Sequence, residues 1–223
     1  MNMLRLCLLV TLQFLLCAGS SRSQILENPH GSPAGAYSLD YFQYFGARFN
    51  FSAPVTLGSV GGEFQFWQPT TGSFFAAIVP LASMNAMPVG DPVNGIPFNP
   101  GEILAYRTFS VSVGPTLQTI NVPFSINLLP GVYGVVFGSG LFGTGGIVDM
   151  PAYNTVPQSS SFVWSSEPWR WQDTGPNAPF FNAAQNISVT IVPEPSGAVL
   201  LSFGLACLLR CRSHKLLSFA LAR

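Results

Sequence analysis

The sequence predicts an all-β fold, an antiparallel β-sandwich of jelly-roll type flanked by an N-terminal signal-peptide helix and a C-terminal hydrophobic helix. Three observations carry this expectation. From about Tyr41 to Val192 apolar residues recur at every second position and not at helical spacing. Glycine and proline punctuate the gaps between these runs. The four cysteines are Cys7, Cys17, Cys207 and Cys211, so the middle of the chain has none and must hold together by burial without disulfides. The boundaries that follow are 1–23 for a signal peptide, 24–40 for a linker, 41–192 for the sandwich, 193–215 for a C-terminal signal and 216–223 for an extra tail.

Taken in order, the expected strands begin with Ala47 to Phe51, where Ala47, Phe49 and Phe51 share a face. In Gly62 to Trp67, alternation puts Phe64 and Phe66 on the core face and Glu63, Gln65 and Trp67 on the other. Phe74 to Val79 is continuously apolar. Ile103 to Val113, Gln118 to Leu128, Val132 to Phe137 and Ser161 to Trp164 follow. In Asn186 to Val192, Ile187, Val189 and Ile191 face one side while Ser188 and Thr190 face the other. Turn signals separate them at Pro69, Asn94-Gly95, Asn99-Pro100-Gly101, Gly114-Pro115, Pro130-Gly131 and Gly175-Pro176. Eight or more short strands divided in this way point to two packed sheets.

Charge narrows the function. Only 8% of the 223 residues are charged and 48% are hydrophobic, which favours a packed core over disorder. Between residues 24 and 192 three arginines, Arg48, Arg107 and Arg170, stand against eight acids, leaving that span at net −5 with no lysine. A surface of that kind offers no basic stripe to a phosphate backbone, so nucleic acid is not an expected partner. His30 is the one histidine outside the C-terminal segment and sits in a turn sequence, Asn28-Pro29-His30-Gly31, which argues against histidine catalysis. Gly138-Ser-Gly140-Leu-Phe-Gly143 has dinucleotide-binding spacing but is followed by glycines and Pro151, where a phosphate-binding loop needs a helix. No catalytic residue, metal ligand or cofactor is expected. A pair drawn from Glu63, Glu102, Asp149 and Asp173 keeps a glycoside hydrolase as a second alternative.

Aromatic residues give the first alternative, a carbohydrate-binding, lectin-like module. Trp164, Trp169 and Trp171, interleaved with Glu167, Arg170 and Asp173, and Trp67 earlier in the chain, are the candidate glycan contacts. Their rings present flat apolar faces on which sugars stack, with the charged groups fixing hydroxyls. The competing reading makes the same tryptophans core or loop-packing residues.

The two ends are informative in a different way. Arg5, the apolar run Leu6 to Leu16 and the small residues Ala18-Gly-Ser-Ser21 have the three-part layout of a secretory signal peptide, with a retained anchor and a lipoprotein cysteine at Cys17 as the alternatives. At the other end Val192-Pro193-Glu194-Pro195-Ser196 is followed by the apolar run Gly197 to Leu209 and by a basic cluster, Arg210, Arg212 and Lys215. Two prolines keep the tripeptide out of helix and sheet, the apolar run halts translocation, and the basic cluster stays on the cytoplasmic side. This order resembles the PEP-CTERM sorting signal of exosortase-bearing Gram-negative bacteria, matching its name-giving tripeptide at Pro193, Glu194 and Pro195. Phe45-Gly-Ala-Arg-Phe49, Ala76-Ala-Ile-Val-Pro-Leu81, Leu129-Pro-Gly-Val-Tyr133 and Val136-Phe-Gly-Ser-Gly-Leu-Phe-Gly143 are similar to the sandwich ectodomains often found ahead of such signals.

The resemblance implies an exported protein that passes through the Sec translocon, is transiently anchored in the inner membrane through its C-terminal segment, and is processed by exosortase to the cell surface or medium. The expected role is that of a non-enzymatic surface or extracellular-matrix protein associated with exopolysaccharide or biofilm.

Overall fold

A computed structural model describes residues 23–68, 70–166, 169–174 and 183–192. Residues 1–22 of the signal peptide, the Pro69 and Gly175-Pro176 turns, Glu167, the Pro193-Glu194-Pro195 tripeptide, the expected C-terminal hydrophobic helix, the basic cluster and the 216–223 tail all lie outside the described residues. Within them the chain forms twelve strands: β1 (Gln24–Glu27), β2 (Pro33–Leu39), β3 (Gln43–Phe51), β4 (Val55–Phe64), β5 (Thr70–Leu81), β6 (Ala105–Val113), β7 (Gln118–Leu128), β8 (Gly131–Gly138), β9 (Val148–Tyr153), β10 (Ser161–Ser166), β11 (Trp169–Asp173) and β12 (Ile187–Val192). Each expected strand has a counterpart. β1 and β2 fall within residues 24–40, read from sequence as a linker, and β9 and β11 are further additions. β4 stops at Phe64, so Gln65 and Trp67 lie beyond the strand, with Gln65 held only by an isolated bridge to Asp149.

All pairings are antiparallel. One sheet has the order β1-β12-β4-β7, a second β11-β10-β3-β8-β5-β6, and β2 and β9 form a third, two-stranded sheet. The first two pack face to face. Their inner faces supply one apolar core: Leu57, Val60, Phe64, Val122, Phe124 and Val189 from one side, and Phe45, Phe49, Phe74, Ile78, Val135 and Phe137 from the other. Full burial of each such large side chain stabilises by roughly 1.5–3 kcal/mol.

The central strands of the six-stranded sheet are buried on both faces, which explains the unbroken apolar run in β5. Phe74, Ala76 and Ile78 point into the main core, while Phe75, Ala77 and Val79 join a second cluster with Tyr44, Val136, Phe162, Trp164 and Trp171. The connection 82–104 covers that second face, since Phe98 belongs to the cluster and Met87 and Ile103 pack on it. Close approach is enforced where rings cross strands. A side chain at Gly46 would overlap the Phe162 ring, so only glycine fits there.

Candidate functional site

The four tryptophans singled out by sequence do not form one platform. Trp164 and Trp171 are a correction to the sequence reading: both are buried in the second cluster, Trp164 to 1% exposure, and offer no face to a ligand. Trp171 packs edge-on against Phe162 and Trp164, with centroids at 5.2 and 5.6 Å, and its indole N–H donates to the Pro97 carbonyl at 2.7 Å. It thus pins the connection 82–104 to the sheet. Trp169 and Trp67 are exposed. Trp169 meets Phe42 edge-on at 6.0 Å and covers Gly95, and Trp67 leans on Phe66 at 5.8 Å.

The carboxylates proposed as a pair are each engaged by a neighbour. Glu63 accepts a hydrogen bond from the Tyr153 hydroxyl, and Asp149 accepts one from Ser38 Oγ at 2.8 Å. Glu102 organises the connection 82–104 by accepting from the backbone N–H groups of Val89, Gly90 (3.3 Å) and Asn99 (2.8 Å). Asp173 pairs with Arg48 at 3.4 Å.

Arg48 belongs to a buried polar cluster that ties distant elements together. Its Nε donates to the Ala86 carbonyl at 2.7 Å and its Nη1 to the Ser160 carbonyl at 3.1 Å, while its guanidinium lies 4.9 Å above the Phe162 ring. Burial lowers its pKa, with Asp173 opposing. Asn28 donates to Ser161 Oγ at 2.6 Å and accepts from Ser160 Oγ at 2.9 Å, which fixes the end of β1 to β10. Arg48 Nη2 makes no hydrogen bond among the described residues, but the other contacts of the cluster tie separate elements together and read as structural.

A groove of about 840 Å³ runs along edge strand β6. The tail of the connection 82–104 walls it with Phe98, Asn99 and Leu104, β6 contributes Tyr106 and Thr108, and Phe142 closes it from the β8–β9 loop. Its size is that of ligand clefts, which take apolar walls and a few polar groups. Tyr106 and Phe142 are stacked, with centroids 4.0 Å apart and planes 16° from parallel, yet remain 44% and 38% exposed. Phe142 also meets Phe75 edge-on at 5.1 Å. Among the described non-glycine residues it alone has a positive φ, 55°. A bulky side chain is disfavoured in that region, where glycine is at ease.

Neither ring was a sequence candidate. Alternation within the expected strand Ile103 to Val113 does put Tyr106 and Thr108 on one face, and Phe142 sits conspicuously between Gly140 and Gly143. Nothing local to either segment announces that the two rings meet.

No protein-family model matches the chain, and no curated protein matches it. Solved structures that align with it include a clostridial cysteine protease, Cwp84, after propeptide cleavage (13% identity, TM-score 0.47), of which the chain spans 41% while 78% of the chain is covered. Others are the VP2 subviral particle of infectious bursal disease virus (10% identity, TM-score 0.30, 78% of this chain and 34% of that one) and the CBM36-1 domain of a multidomain xylanase from the hindgut metagenome of Trinervitermes trinervoides (6% identity, TM-score 0.32, 75% and 96%). At these scores no function or site is transferred from them.

Proposed function

We propose that the chain is an exported, non-enzymatic surface or matrix protein whose sandwich binds polysaccharide, delivered through its PEP-CTERM signal by Sec export and exosortase processing. One observation carries the binding part: an open groove of about 840 Å³ walled by exposed, stacked aromatic rings. Such walls suit the apolar faces of sugar rings, and an open groove suits a chain that continues past both ends. The local engagement of Glu63, Glu102, Asp149 and Asp173 favours binding over hydrolysis, because a glycosidase must aim two carboxyl groups at one bond.

The jelly-roll reading of the fold is supported by the strand alternation. β3, β4 and β5 cross between the two large sheets in turn, and β6, β7 and β8 do so again, leaving β1-β12-β4-β7 facing β3-β8-β5-β6. The sorting part rests on Pro193, Glu194 and Pro195 with the apolar and basic segments that follow.

Gel mobility of the full chain, purified in a non-glycosidic detergent, tests the binding. Retardation by at least one of a panel of neutral and acidic polysaccharides is expected; unchanged mobility in all of them would overturn the proposal.

A further inference from the structure

Resting on that polysaccharide-binding reading, we propose that the stacked Tyr106–Phe142 pair is the subsite for one pyranose ring of an uncharged glycan.

Two independent features converge on the pair. The first is exposure combined with order: two flat rings lie nearly parallel at 4.0 Å, each covering one face of the other, and both stay more than a third exposed, so the pair still presents apolar ring surface to solvent. The axial C–H groups of a pyranose form an apolar, weakly positive face, which complements the negative face of an aromatic ring. Thr108 and Asn99 line the same groove, and although Asn99 Nδ2 donates to the Gly90 carbonyl at 2.9 Å, the Thr108 hydroxyl and Asn99 Oδ1 offer polar partners to sugar hydroxyls.

The second feature is backbone strain. Phe142 takes φ 55°, and its neighbours in the loop, Gly140 and Gly143, take 84° and 75°. In a loop that turns by left-handed residues the unstrained choice at 142 is glycine. An aromatic ring held there against its backbone preference, at the mouth of a groove, marks a functional position.

Charge selects the ligand class. The span 24–192 carries net −5, which repels a polyanion as it approaches. At the groove itself the Arg107 guanidinium donates to the Tyr106 carbonyl at 2.9 Å and lies 5.5 Å from the Phe124 ring centroid. The cation that lines the groove is thus engaged within the protein. An uncharged chain meets no electrostatic penalty there, and its binding is insensitive to salt.

The test is isothermal titration of the full chain in a non-glycosidic detergent with dextran and a soluble β-glucan as neutral probes, and with alginate and polygalacturonate as acidic ones. Saturable, salt-independent binding to a neutral glycan is expected. Phe142→Gly, which removes the ring and relieves the left-handed backbone, weakens it about tenfold while the thermal melt stays cooperative and no lower. Tyr106→Ala weakens it similarly, and Tyr106→Phe, which keeps the stack, retains affinity within about twofold. Binding to acidic glycans alone would overturn the ligand class. Neutral-glycan binding untouched by Phe142→Gly and Tyr106→Ala would overturn this subsite and leave the polysaccharide reading standing, whereas no binding to any probe would remove both.

Discussion

Arg48 and Asp173 form an ion pair at 3.4 Å in which one side chain is buried to 2% exposure and the other is 55% exposed. The two partners therefore do not contribute equally. Arg48→Met removes the donors to the Ala86 and Ser160 carbonyls and the contact over Phe162, and costs about 2–4 kcal/mol. Asp173→Asn weakens a pairing made from a 55% exposed, solvent-screened side chain and costs less than about 1 kcal/mol. Urea titration of the two variants measures the difference, and equal losses would contradict it.

The tryptophans divide in the same manner. Trp67 and Trp169 are exposed and Trp164 and Trp171 buried, so iodide or acrylamide quenches a fast-accessible fraction that Trp67→Phe and Trp169→Phe together abolish. Trp164→Ala empties a core site beside Trp171 and Phe162 and destabilises by about 3–5 kcal/mol. Trp67→Ala changes stability by less than about 0.5 kcal/mol.

Two tyrosines set an alkaline limit. Burial pushes the Tyr153 hydroxyl up to about 12, with the Glu63 carboxylate as the second cause; Tyr44 is likewise raised to about 12 by burial and then by Asp40. Both titrate near 10 when unfolded, so the native state keeps their protons longer. Their contribution is whole below pH 10 and is lost as pH rises from about 10 to about 12. Stability of the wild type falls across that window, and the Tyr44→Phe, Tyr153→Phe double variant falls less steeply.

Sorting makes a separate prediction. Mass spectrometry of the mature protein finds a C-terminus near Pro193-Glu194-Pro195 in cells with exosortase and a longer chain in cells without it. A terminus at Arg223 in both would refute the sorting signal. Neither outcome bears on the groove.

β7 and β12 are readable because one buried sheet face imposes a period of two, and β5 because burial on both faces makes it a continuous apolar run. β2 and β9 are not, because Pro33, Gly35 and Pro151 break the pattern in a small sheet with weak demands on register. Trp164 and Trp171 follow the core-packing reading of the sequence for a physical reason. Glu167, Arg170 and Asp173 lend their stretch the look of a surface, but the face that Trp164 and Trp171 occupy is closed by the connection 82–104, including Phe98 and the Pro97 carbonyl. That closure is a long-range event without local signature. The pairing of Tyr106 with Phe142 has the same character, since it joins an edge strand to a loop beyond two further strands.

Calorimetric titration of the full chain with a soluble neutral polysaccharide tests the central claim most directly. A saturable heat is predicted, with a negative heat-capacity change from covering the aromatic groove. Absence of saturable heat with every neutral and acidic polysaccharide tried would contradict it.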